Sequence, residues 1–229
     1  MRWRLGALTF LSIGVAVVAP LLWLVGSFDS IPDKTPLILH LLERAATSRA
    51  VFTAHIAGGA VALLVGPWQL MRRLRARHRN VHRAMGYTYV VAVGIAGTAG
   101  LFLGPRAWGG PVAQLGFTLL ACAWLGTTAM GFQRIVVGDR AGHRAWIVRS
   151  FALTFAAVSL RMQSPLLAAL GVPDAIAYPF VAWSSWVPNL LFVHFIAARS
   201  SKPVRRGKPR VSELEMHAAG SFHRAELGR

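Results

Sequence analysis

The residues of this chain best able to do chemistry are three histidines and one arginine set in apolar sequence: His55, His82, His143 and Arg161. A neutral imidazole can ligate a metal or pass a proton near neutral pH. His82 and His143 are each followed by Arg-Ala, and each opens an apolar run. On adjoining helices the two rings could take one haem iron from opposite sides. The same His-Arg pairs, at a membrane surface, would also suit a lipid phosphate or the start of a helix. His78, one turn before His82, could substitute for it, and His194 has no evident partner.

His55 shares a helical face with Gly59, Ala62, Gly66 and Gln69, at offsets of 4, 7, 11 and 14 residues. Two readings stand. The small residues let another helix approach, with His55 bonded across to it. Alternatively they clear room for a flat ligand such as haem, with His55 as an axial ligand. Arg161 lies inside an apolar run, where a charge costs at least about 2.5 kcal/mol at mid-depth. Ser150 and Thr154 precede it by 11 and 7 residues, and His143 extends the line, so a polar stripe should face the bundle interior or a water-filled cavity. Arg161 could hold a haem propionate, a quinone carbonyl or an anionic substrate. It could equally bond backbone carbonyls and Gln163, or snorkel outward. Asn189, following Pro188, is expected to satisfy carbonyls that the proline frees. Gly94, Gly97, Gly100 and Gly104 suggest close helix approach in the third span.

The elements that must position these residues are membrane helices. Six apolar stretches approach the roughly 20 residues needed to cross a bilayer core: 5–26, 51–71, 84–103, 112–136, 145–166 and 178–198. The first is read as an uncleaved helix, not a leader peptide. Twenty of the 25 Lys and Arg residues fall on one side of these spans: two before the first, six between the second and third, four around the join of the fourth and fifth, and eight after the sixth. Cytoplasmic loops hold the excess of Lys and Arg, so both termini are expected in the cytoplasm of a bacterial cell, at its inner membrane. The expected fold is an all-α integral membrane bundle of six helices over 1–199, with a basic, partly disordered tail over 200–229. Gln69 with His82-Arg83, and Gln133 with His143-Arg144, suggest a parallel repeat of spans two–three and four–five.

Net charge of +17 is explained by topology and by anionic headgroups on the cytoplasmic face, and nucleic acid is not an expected partner. The single cysteine, Cys122, excludes an internal disulfide. No acidic residue lies within a span, which argues against carboxylate-driven transport. Phosphate-binding, zinc-protease and serine-nucleophile motifs are absent, so no catalytic residue is assigned.

The run from His55 to Gly66-Pro67, then His82-Arg83-Ala-Met-Gly86, then His143-Arg144-Ala-Trp-Ile-Val-Arg149-Ser150-Phe-Ala-Leu-Thr154 through Arg161 resembles the domain-of-unknown-function 2306 family of bacterial membrane proteins. The resemblance covers 51–167, and the last stretch is its specific part. It implies the multi-span architecture and names no reaction. A fainter similarity is to the cytochrome b561 group, which implies six spans with histidine pairs on the four central helices holding two b-type haems. By position, His82 and His143 resemble one pair. His55 could belong to the other, but the fourth span has no histidine, so one haem or none fits better. The expected function is therefore a redox protein using b-type haem, working with quinone or another redox partner. The alternatives are binding or transport of an anionic small molecule or lipid at His55, Arg161 and Gln163, or a membrane scaffold.

Overall fold

The computed structural model describes residues 6, 9–18 and 49–200, with side chains through Phe195. Two units divide the chain, Met1–Phe195 and Ile196–Arg229, and the bundle belongs to the first. Its described elements are all helical: α1 (Thr9–Val18), α2 (Arg49–Gln69), α3 (Arg72–Arg77), α4 (Arg79–Leu103), α5 (Gly110–Val136), α6 (Arg140–Thr154), α7 (Ala156–Ala169), α8 (Asp174–Ser184) and α9 (Val187–Ser200). Half of the first expected span and the basic tail beyond Ser200 lie outside the described residues.

Five of the described helices or continuous helix pairs are long and apolar enough to cross a membrane: Arg49–Gln69, Arg79–Arg106, Gly110–Val136, Arg140–Ala169 and Asp174–Phe195. They correspond to the second through sixth expected spans. Three start a turn or more earlier than the apolar runs, at Arg79, Arg140 and Asp174, because polar residues continue the helix beyond the apolar stretch. Asp139 shows how: its carboxylate accepts the Gly142 N–H at 2.8 Å and caps α6, which brings His143 into the first turn.

The outer surface is apolar. Val91, Ile95, Phe102, Leu115, Phe180 and Phe192 are among the many large exposed side chains, a distribution that suits lipid and would aggregate in water. Inside, small residues set the spacing. A Cβ on Gly58 would stand 2.8 Å from the Ala92 carbonyl oxygen, so α2 meets α4 backbone to backbone. Phe151 fills the space beside Gly66, and Ile147 that beside Gly131. Gly116 brings α5 against Trp183 and Ala182 of α8.

The fifth and sixth spans are each broken. Phe155 separates α6 from α7, where Thr154 Oγ1 donates back to the Ser150 carbonyl at 3.1 Å, a bond that bends helices. Pro188 has no N–H and removes the bond to the Ser184 carbonyl four residues earlier. That carbonyl is taken by Gln163 Nε2 at 3.3 Å, while Ser184 Oγ donates to Gln163 Oε1 at 2.6 Å. Asn189 donates instead to the Ser185 carbonyl at 2.8 Å and to Ser159 Oγ at 3.0 Å.

Candidate functional site

One face of α4 organises the interior. His82, Gly86, Tyr89, Val93, Ala96 and Gly100 recur at alternating steps of four and three, which keeps them on one line along the helix. Tyr89, Val93 and Ala96 are essentially inaccessible. Polar groups meet this line at three depths, beginning at the arginine-rich end, where α2 finishes and α4 and α6 begin.

At the basic end, Gln69 reaches the α4 face: its Oε1 lies 3.5 Å from where a Gly86 Cβ would stand, and Gly86 is one turn from His82. Gln69 is only 8% exposed, and its Nε2 has no hydrogen-bond partner among the described residues. The Nδ1 atom of His82 is likewise buried and unpartnered. His143, entering from α6, differs. Its Nδ1 lies 2.8 Å from the Gly131 carbonyl oxygen. A carbonyl only accepts, so the proton sits on Nδ1 and Nε2 keeps its lone pair. His82 lies within electrostatic range of both Arg75 of α3 and the His143 ring.

At mid-depth, α4, α5 and α6 share a closed hydrogen-bond network. The Tyr89 hydroxyl is 2.9 Å from Ser150 Oγ and 2.7 Å from Thr154 Oγ1. Ser150 Oγ is 2.6 Å from Thr128 Oγ1. Trp124 Nε1 donates to Thr154 Oγ1 at 2.8 Å. Backbone carbonyls end the chain on both sides: Thr128 Oγ1 donates to Trp124 O at 2.7 Å, and Thr154 Oγ1 to Ser150 O. Every hydroxyl proton in it has an acceptor, as a buried network requires. Ser150 and Thr154 are expected polar residues; Tyr89, Trp124 and Thr128 are not. The available signals were the seven-residue step from His82 to Tyr89 and the four-residue step from Trp124 to Thr128.

At the opposite end, His55 Nδ1 donates to the Ala96 carbonyl at 2.9 Å, and its ring lies 3.5 Å from where a Gly100 Cβ would stand. Arg161 is near enough for its charge to act on His55. Arg161 itself is exposed, and its Nη1 donates to the Ala157 carbonyl at 3.0 Å. Ser150 and Thr154, on the other side of the helix break at Phe155, are buried. Gln163 is committed to Ser184. On α2, Gly59 has nothing nearby, and Phe151 occupies the space beside Gly66.

His78 is exposed between α3 and α4, beside a shallow cleft of about 310 Å³. His194 is exposed against Phe195. Among the described residues no group of three or more His, Cys, Asp or Glu side chains converges to hold a metal ion. A haem iron asks less of the protein, because the macrocycle supplies the equatorial nitrogens and the chain only the axial ligands.

A family model described as "Predicted membrane protein (DUF2306)" matches residues 52–197. That is more than half of the chain, and it takes in the histidine sites, the hydroxyl network and Arg161; the chain belongs to this family. The family and the multi-span helices make it a multi-pass protein of the bacterial inner membrane. No curated protein and no solved structure matches.

Proposed function

We propose that this member of the DUF2306 family is a redox protein that binds one b-type haem at its basic, cytoplasmic end, with His82 and His143 as axial ligands. The observation that carries this reading is the bond from His143 Nδ1 to the Gly131 carbonyl. Ligating histidines usually donate their other N–H to a carbonyl or carboxylate, which fixes the ring and raises the basicity of the free nitrogen. His82 faces the same end from a neighbouring helix, within electrostatic range. Phe151 and Ile147 close the interior deeper in, so a ring has to be taken toward the basic end. Haem would supply one-electron transfer, with quinone or another redox partner exchanging the electron. Six spans with both termini in the cytoplasm complete the topology, since the arginine-rich loops belong on that side.

The test is a reduced-minus-oxidised absorbance spectrum of protein purified after expression with haem precursor. The expected result is a b-type signal near one haem per chain, lost in His82→Ala and in His143→Ala. Colourless, monodisperse protein refutes the reading. The weight then passes to binding of an anionic small molecule or lipid beside His55 and Arg161, where a guanidinium engaged by a single bond to Ala157 keeps donors for an anion. In that case Arg161→Ala abolishes binding and Arg161→Lys keeps part of it.

A further inference from the structure

We infer that Gln69 and His82, on helices that the arginine-rich α3 packs against, form a binding site for a phosphate-class oxyanion at the basic end of the bundle. Two buried nitrogen atoms on facing helices have no hydrogen-bond partner among the described residues: Gln69 Nε2 at the end of α2, and His82 Nδ1 in the first turns of α4, which donates when the proton is on Nδ1. Gln69 packs at Gly86, one turn from His82, so both open onto the same stretch of α4. Buried polar atoms are almost always paired, and a ligand with several acceptor oxygens would satisfy both of these.

Charge selects the ligand further. Arg75 acts on His82, and Arg72, Arg73, Arg77 and Arg79 flank it in sequence. The described residues hold two carboxylates, Asp139 and Asp174. At the basic end Asp139 is already engaged, capping Gly142 and pairing with Arg134 at 3.4 Å. Among the described residues no other carboxylate at this end is left to neutralise the arginines, which favours an acceptor that brings its own negative charge. Phosphate offers several acceptor oxygens and a charge that guanidinium recognises well. The site lies where arginine-rich turns meet the apolar spans, the depth of lipid headgroups in the cytoplasmic leaflet. The phosphate of an anionic phospholipid and free inorganic phosphate share this chemistry. The site needs only the Nδ1–H of His82 and leaves Nε2 available, so it holds with or without iron.

The experiment is thermal unfolding of delipidated full-length protein in neutral detergent. It is titrated separately with phosphatidylglycerol, phosphatidylcholine and inorganic phosphate, for the natural protein, Gln69→Leu and Gln69→Glu. Saturable phosphatidylglycerol binding should raise Tm by about 3–5 °C. Gln69→Leu should weaken apparent affinity about tenfold, the effect of one lost charge-assisted bond. Gln69→Glu should abolish the shift by repelling the anion. The same pattern with inorganic phosphate in place of lipid assigns the site to a soluble phosphate. Equal shifts in all three proteins mean that the arginine surface binds lipid without this site, and overturn the inference, as does a shift with phosphatidylcholine equal to that with phosphatidylglycerol, or no shift at all. If Gln69→Glu does not fold, Gln69→Leu alone decides. Haem absorbance plays no part in the readout, so this inference and the haem reading fail separately.

Discussion

Removing one hydroxyl from the mid-depth network should matter far more at Thr154 than at Tyr89, although Tyr89 is the larger residue and makes two side-chain contacts. The reason lies in the donor count. Without the Tyr89 hydroxyl, Thr128 donates to the Trp124 carbonyl, Ser150 to Thr128, Thr154 to the Ser150 carbonyl, and Trp124 Nε1 to Thr154. No donor is stranded, so Tyr89→Phe loses only net hydrogen-bond energy, about 0.5–1.5 kcal/mol. Thr154→Val preserves shape but removes the acceptor of Trp124 Nε1, a donor on a side chain only 7% exposed. An unsatisfied buried donor costs about 1–3 kcal/mol on top of the lost bond, so the total should be about 2–3 kcal/mol. Hydrogen bonds in membrane bundles average somewhat less, which scales both figures without reordering them. Equilibrium unfolding in mixed micelles, followed by far-UV circular dichroism, measures the differences. A double-mutant cycle isolates the cause: in a Trp124→Phe background, where no indole N–H is left to strand, Thr154→Val should cost about 1–2 kcal/mol less. Equal losses for Tyr89→Phe and Thr154→Val, or additivity with Trp124→Phe, would refute the donor argument.

Two neighbouring glycines should respond oppositely to alanine. Gly58→Ala drives a Cβ against the Ala92 carbonyl oxygen, backbone that cannot give, and should lose about 1–3 kcal/mol in the same unfolding assay. Gly59→Ala meets nothing within 4 Å and should gain up to about 1 kcal/mol from helix propensity, so a loss at Gly59 would mean that its face is covered. Orientation is checked with single cysteines in a Cys122→Ser background. In spheroplasts a membrane-impermeant maleimide should label the Ala107→Cys protein at once and the Ala76→Cys protein only after lysis; the reverse order inverts the topology.

Span placement was legible because it depends on two sums, apolar length and arginine count, that no single contact can change. The helices 79–106 and 140–169 lie where the runs 84–103 and 145–166 put them. Their starts were less legible, since an apolar run marks the bilayer core while a helix begins at its cap, here Asp139. The stripe from Ser150 to Arg161 assumed one straight helix. The helix is interrupted at Phe155, next to the Thr154-to-Ser150 bond, and of the stripe Ser150 and Thr154 are buried while Arg161 is exposed. Of the partners expected for Arg161, a backbone carbonyl, that of Ala157, accepts from it, while Gln163 bonds at the Ser184 carbonyl that Pro188 leaves without its helical donor. Periodicity assigns a residue to a face of its own helix, yet whether a polar atom is paired depends on which faces meet. His82 and His143 show this most directly. Both are followed by Arg-Ala, and both sit near the start of a basic-end helix. His143 meets the carbonyl of Gly131, whereas the Nδ1 of His82 meets no acceptor among the described residues. That difference between two locally similar segments, invisible until the helices are packed, separates a ring held in place from one left with a donor to fill.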